Sequence, residues 1–493
     1  MFVKAIDELT GDLLFRESRT EKSYYQNTFP EVFSKKNIFM KKQELSLQVI
    51  NEHAAGIDIG SRFHMVAIDQ LKENVRQFGV YTKDHEQLID YLHNAGVTSI
   101  AMESTGNYWQ TLFSVLQQAG FEVLLVSGSQ TKNVKGRKTD VIDCMWIQKL
   151  HSLGLLSGSF LLSNAIQELR TYYHHRLHLI EQASMYVHKM QKSLRLMNVR
   201  LDIAIRDVVG KSGLNIVEAI LAGNRDPKHL STLVDIRVKK SQQEIADSLQ
   251  GSWQEELLFE LRTSLDFYKV YEKALLECDK QIENKLVSYI PQTTLDPQEE
   301  KMLKENSKKS RKHAPALNVS RLAYQYFHTD LFAISGISHT TVLCLMTNMG
   351  HDLHKFSSAK SFASWLRLVP NNKISGGHII SNKTPSGKNL IATALRQAAN
   401  SIGNQKDHEL TPFFKRIAFR KGRIAAITAT ARKLAVIIWN MITKVEPYKK
   451  SMTINSDKNK FIQLKNIEKR IGLLQLTQDE LKRLFSRTLL LTE

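Results

Sequence analysis

The chain is 493 residues long, enough for two to four domains, and its 42% hydrophobic content is ample for packed cores. It carries 68 Lys and Arg against 49 Asp and Glu, a formal charge of +19, which favours a polyanionic partner held through phosphate contacts and counterion release. Cys144, Cys278 and Cys344 lie far apart without CxxC spacing, so neither a disulfide framework nor a cysteine-built zinc site is expected.

Residues 1–47 read as a polar, poorly packed extension ending in Met40-Lys41-Lys42, and Met40 offers an alternative start. Charges interrupt every apolar stretch there, so no signal peptide is expected. No uninterrupted apolar run of about 18 residues occurs anywhere, so no transmembrane helix and a cytoplasmic protein are expected. From 53 onward, a strand, a glycine turn and a returning strand are expected over His53–Gly60 and Phe63–Asp69. A helix follows at 85–95, a β-rich run at Thr98–Met102 ending on Glu103, a helix at 111–118 and a buried strand at 121–126. Strands alternating with helices argue for an α/β layer domain over about 53–160.

Tyr173, Ile180, Ala183, Val187, Met190, Leu194 and Met197 follow the spacing of a long packed helix. Leu261, Tyr268, Leu275, Ile282 and Tyr289 fall seven apart, with Leu258, Leu265 and Leu286 beside them and Glu272 and Asp279 interrupting the companion row. Two such helices make either an antiparallel coiled-coil arm or dimerisation element, or ordinary bundle helices. The domain reading is therefore an extension at 1–47, an α/β domain at 48–165, a helical or coiled-coil region at 166–290 and a Pro- and charge-rich linker at 291–324. A mainly helical unit at 325–450 and a basic tail at 451–493 complete it.

Asp58 lies between two isoleucines in Gly-Ile-Asp-Ile-Gly, a setting in which a carboxylate is costly to bury without compensation. Glu103 ends the apolar run Ser-Ile-Ala-Met-Glu, while Asp140 and Asp143 are three apart where a helix starts, hence on one face. Asp58 in a turn and Asp140 as a helix cap are the structural alternatives. Taken together, the four suit two Mg²⁺ ions, which take oxygen ligands and can promote phosphodiester chemistry in pairs.

These residues sit in GIDIGSRFHMVAI, AMESTGNYWQ and VSGSQTKNVKGRKTDVIDCMWIQKLHSLGLL, followed by DVVGKSGLNIVEAILAGNRDP, ISGISHTTV and NNKISGGHIISNKTPSGKN. In this order, across about residues 50–450, they resemble the DEDD transposases of the one-ten insertion-sequence family, particularly its eleven-eleven branch. The resemblance implies a RuvC-like, RNase-H-type domain with its D, E, D, D on Asp58, Glu103, Asp140 and Asp143, a coiled-coil segment and a helical transposase domain. It further implies a bacterial protein that acts on donor and target DNA, guided by a structured bridge RNA, and that works as a dimer or tetramer. Ser375 matches the family's nucleophile, which forms a covalent phosphoserine bond to DNA; Ser381 and Ser386 are nearby competitors. Asn348 stands where relatives commonly carry an acidic residue, away from every expected catalytic position.

A serine before two glycines is accessible, and backbone N–H groups there can hold phosphate oxygens, but serine needs activation by a base or metal. No basic partner is obvious near Ser375 in sequence. Lys132, Lys135, Arg137 and Lys138, just before Asp140, are placed to position substrate phosphates. Lys415, Arg416, Arg420, Lys421 and Arg423, with Arg432 and Lys433, form a candidate nucleic-acid face among Phe413, Phe414, Ile417 and Phe419. Ile334–Thr340 resembles a helix-hairpin-helix turn. His174, His175 and His178 have ligand-like spacing, although solvated positions on a helical seam explain them better. The competing functions are a metal-dependent nuclease without a covalent intermediate and a non-catalytic nucleic-acid-binding protein.

Overall fold

The computed structural model describes residues 48–448 except 105, 132–138, 160, 162, 291–293, 306–312 and 407, together with scattered positions between 464 and 480. The expected extension, the basic segment 132–138 and nearly all of the tail thus lie outside the described residues. The chain divides into two compact units, 1–160 and 161–493.

In the first unit the apolar runs on either side of Gly60–Phe63 pair as antiparallel strands β1 (Ala54–Ile59) and β2 (His64–Ala67), with Asp58 opposite Met65. The short β3 (Arg76–Phe78), which the sequence did not reveal, adds to β2; Arg76 and Gln77 are exposed and supply no apolar alternation. Helix α1 (Thr82–Asn94) leads to β4 (Ser99–Glu103), and α2 (Trp109–Gln118) leads to β5 (Glu122–Val126). Both β4 on β1 and β5 on β4 pair in parallel, giving a mixed five-stranded sheet in the order β3-β2-β1-β4-β5. A short turn of helix, α3 (Gly128–Thr131), precedes α4 (Asp140–Ser152), which packs across β1, β2 and β4.

On the other face, His64 of β2 is buried and stacks on His85 of α1, ring centroids 5.6 Å apart, and neither His64 Nδ1 nor His85 Nε2 has a hydrogen-bond partner. Burial first, then the neighbouring His85, lowers the His64 pKa to about 4; burial also lowers that of His85, against the opposing pull of Asp84. An unfolded histidine titrates near 6.5, so between that value and 4 the unfolded chain binds more protons and stability falls as pH falls. For His64 alone the loss is about 2 kcal/mol by pH 5. Thermal melts between pH 7 and 5 should show this slope, and His64→Phe should flatten it; an unchanged slope would rule the pair out as its source.

In the second unit α5 (Asn164–Leu196) and α10 (Glu255–Tyr289) run antiparallel, because their partners ascend one helix while descending the other. Lys285 meets Glu168 (2.7 Å), Cys278 Sγ donates to Tyr172 O (3.4 Å), Tyr186 stacks between Phe267 and Tyr271, and Ser193 Oγ donates to Glu260 (3.0 Å). The two heptad rows therefore meet within one chain. Asp279 interrupts its row for a reason: it takes both Nε and Nη2 of the fully buried Arg176, at 2.5 and 3.2 Å.

Between the long helices, α6 (Leu201–Ala204), α7 (Lys211–Leu221), α8 (Pro227–Thr232) and α9 (Gln242–Ser248) enclose a core that includes Met190, Leu194, Ile216, Val217, Ile220, Leu230 and Leu261. The stretch expected as a linker carries α11 (Pro297–Glu305) and α12 (Val319–Phe327), joined where Tyr324 donates to Glu299 (2.8 Å). Then follow α13 (His339–Met349), α14 (Ala359–Trp365), the hairpin β6 (Lys373–Ser375) and β7 (His378–Ser381), α15 (Leu390–Gly403), α16 (Thr411–Lys421) and α17 (Arg423–Lys444). α13 packs on α5, so the long helices and the helical C-terminal part share one compact unit. α17 is the one described helix long and apolar enough to cross a membrane, at mean hydropathy 1.3, but it packs on α14, α15 and α16 as a core helix would.

Candidate active site

α4 is pressed onto β1 at Gly56. A Cβ there would lie 2.2 Å from Gln148 N and 2.5 Å from Cys144 O, so only glycine allows this approach. Gln148 fixes the contact by donating to Ala54 O (3.1 Å) and Ile68 O (3.3 Å), while Gln70 donates to its Oε1 (2.6 Å). Since residues four apart share a helix face, the stripe Gln148, Cys144, Asp140 descends along β1 towards its C-terminal end, where Asp58 stands. Thr139, rather than Asp140, is the cap: its side chain accepts from Ile142 N (3.3 Å), leaving Asp140 and Asp143 in the first turn.

One oxygen from each of Asp58, Asp140 and Asp143 lies within 4.8 Å of the others. Three carboxylates at this spacing repel one another, and an all-oxygen set of this kind fits a hard divalent cation such as Mg²⁺. Cys144 beside them is not a ligand for it: burial first, and then the charges of Asp58 and Asp143, push its thiol up to about 12.

Glu103 belongs to the same face, one step beyond the registered pair Ile57 and Met102, yet it is not in this group. Its carboxylate accepts from Thr131 Oγ1 and lies against Gly128, where an added Cβ would come within 2.5 Å of Oε1. Three of the four expected carboxylates therefore converge, and the fourth is held to the side by α3. Lys132, Lys135, Arg137 and Lys138 lie outside the described residues.

Ser375 ends β6 in the second unit. Gly376 and Gly377 make the two-residue loop with φ of 55° and 77°, a left-handed pair that only glycine adopts without strain. Ser375 is exposed, and its directly opposed partner across the loop is His378. Sequence reading missed this histidine because only the hairpin register makes it a neighbour. Ser381 ends β7, while Ser386 O accepts from Arg367.

Among the expected basic face, Arg420 and Lys421 line an open groove, and Lys415 is exposed. Arg416 and Lys433 sit over the Phe413 ring at 5.8 and 4.8 Å, whereas Arg423 is engaged with Asn400 and Asn404 (both 2.7 Å) and clamps α17 to α15. The Ile334–Thr340 turn docks on α15: a Cβ at Gly336 would lie 2.7 Å from Ile402 Cγ1, so this is a packed turn. His174 accepts from Arg170 (3.4 Å), and no histidine joins a group of three candidate metal ligands among the described residues.

An α/β unit with a convergent carboxylate cluster is followed by a helical unit bearing an exposed serine hairpin. Residues 55–199 match the transposase model for IS110-type DEDD proteins, and residues 329–414 match the transposase IS116/IS110/IS902 family. Two segments of the chain are thus similar to IS110-type transposases. The chain is also 26% identical over 121 residues to the transposase for insertion sequence element IS1111A of Coxiella burnetii (strain RSA 493 / Nine Mile phase I), covering 24% of this chain and 33% of that one. The chain thus spans about a third of the length of the curated relative it matches. All four acidic residues fall in the first matched segment and Ser375 in the second.

Proposed function

We propose that this protein is a transposase that cuts and rejoins DNA through a covalent phosphoserine intermediate. The observation that carries the reading is the convergence of Asp58, Asp140 and Asp143 inside a transposase-family match. The mixed sheet, with α4 on its acidic face, supports a RuvC-like, RNase-H-type domain. Asp58, Asp140 and Asp143, joined by Glu103 if Thr131 releases it, would hold Mg²⁺, two ions in the full set. Bound there, the metal would supply Lewis-acid activation and charge stabilisation at a phosphodiester.

Ser375 Oγ attacks phosphorus, its proton leaves, the P–O bond to one deoxyribose breaks and that sugar oxygen departs as a hydroxyl. The resulting serine phosphodiester is isoenergetic with the bond it replaces to first order, so a second DNA hydroxyl can reverse the step without an external energy source. His378, opposite Ser375, is the candidate acceptor of the serine proton. Guidance by a structured RNA, and assembly into dimers or tetramers on DNA, complete the proposal and rest on the family.

A nicked or mismatched DNA substrate that traps the intermediate tests the serine. Wild type should yield a denaturant-resistant protein–DNA adduct and Ser375→Ala none; strand cleavage without any adduct would instead favour a water-using nuclease. His378→Ala should lower the rate of adduct formation about 100-fold near neutral pH, with added imidazole restoring part of it. No loss in this variant would exclude His378 as the base. Sequencing the RNA that copurifies with the protein tests guidance: a discrete species complementary to two DNA sites is expected, and bulk cellular RNA alone would refute it.

A further inference from the structure

The second unit carries a groove of about 1050 Å³ between the segment framing the serine hairpin and the α16–α17 pair. Lys383, Arg420, Lys421, Arg432 and Lys433 line it, and no Asp or Glu does. Between these cations the floor is apolar, with Ile417, Ile424 and Val436 facing Pro370. Ile424 is 84% exposed. A large apolar side chain this open, beside the apolar floor and set among five cations, suits a surface that a ligand covers. Lys433 is partly buried beside Arg416, and burial first, then that like charge, lowers its pKa; an entering anion would relieve both. Most of the lining lies beyond residue 414, where the family match ends.

We infer that this groove takes an unpaired DNA strand, with phosphates on the five cations and bases on the Ile417–Ile424–Val436 floor. Duplex DNA presents phosphates and sugars with its bases stacked inside, so it would satisfy the cations and leave the floor wet. An unpaired strand satisfies both, because every base has an apolar face. DNA is the strand chosen because Asn371 N donates to Lys383 O (3.0 Å) at the base of the hairpin whose tip carries Ser375. At the rise of a strand, base and tip are roughly 15 Å apart, so a strand leaving the groove passes close to the serine. The identity of the strand, though not the binding chemistry of the groove, rests on the proposed transposase function.

Fluorescence anisotropy with the full chain tests the groove, using a labelled single strand of about 12 nucleotides, its duplex, RNA of the same sequence and an oligoglutamate peptide. The single DNA strand should bind best. The pair Arg432→Ala and Lys433→Ala should weaken it about tenfold or more and reduce the slope of log affinity on log salt by about 1.4, two cations' worth. Ile424→Ser, at an exposed position outside the core, should weaken single-strand binding about threefold or more without weakening the duplex. Equal affinity for single and double strands, tighter binding of RNA or peptide, or indifference to these variants would overturn the groove. Cleavage and adduct formation by the same wild-type preparation separate the two failures. Protein that forms the adduct yet fails the binding tests loses only the groove, and protein that binds as expected but never cuts loses only the transposase reading.

Discussion

Asp58→Asn should lower DNA cleavage about a thousandfold or more in Mg²⁺ while the chain still folds. Asparagine keeps the volume between Ile57 and Ile59, both buried, and leaves the Gly56 contact with α4 untouched, so sheet and helix retain their packing. What disappears is one of three negative charges within 4.8 Å, and with it part of the attraction for a divalent ion. A second readout separates this from a structural effect. Because a ligand that binds only the folded state stabilises it, Mg²⁺ should raise the melting temperature of wild type, and that increment should vanish in Asp58→Asn, Asp140→Asn and Asp143→Asn. Full cleavage by Asp58→Asn, or an unchanged Mg²⁺ increment in all three variants, would end the metal-centre reading.

The parts of this site legible in the sequence are those fixed by local pattern. The apolar runs of β1 and β4 and the polar-to-apolar change at the start of α4 needed no tertiary information, so Asp58, Glu103, Asp140 and Asp143 could all be placed on their elements. Convergence is different. Asp140 reaches Asp58 because Gly56 admits α4, whereas Glu103 is turned aside by Thr131, a bond between residues 28 apart that no spacing rule contains. His378 faces Ser375 only through the hairpin register.

One miss was a matter of weighting. Val319, Leu322 and Ala323 share the buried face of α12 with Tyr326 and Phe327, but the prolines and charges of the preceding stretch drew those three into the linker ending at 324. β3 could not be read in the same way, since two of its three residues are exposed and polar. Asp279 looked like a flaw in a heptad row until its partner, 103 residues earlier, was in view.

That buried pair carries the second large effect expected. Arg176 is fully buried; its Nε and Nη2 donate to Asp279, and Nη2 also donates to His313 O (3.0 Å). Asp279 Oδ2 accepts in turn from Ala316 N (2.9 Å), so two side chains tie α5, α10 and the segment before α12 together. Asp279→Ala removes the carboxylate and strands a guanidinium without water or counter-charge, a change that costs about 3–5 kcal/mol. Replacing both partners with Arg176→Met and Asp279→Leu should recover most of this, because the greater cost lies in the uncompensated charge. Hydrogen exchange of α5 and α10 amides is the suitable measure, since a chain of two units need not unfold in one step. Exchange should accelerate sharply in Asp279→Ala and return towards wild type in the double variant. Since α13 packs on α5, adduct formation at Ser375 should also fall in Asp279→Ala and recover on cooling, the signature of lost support rather than lost chemistry. A single variant as protected as wild type would show that the pair is dispensable to the unit, and a double variant no better than the single would show that hydrogen bonds to the segment before α12, not the stranded charge, set the cost.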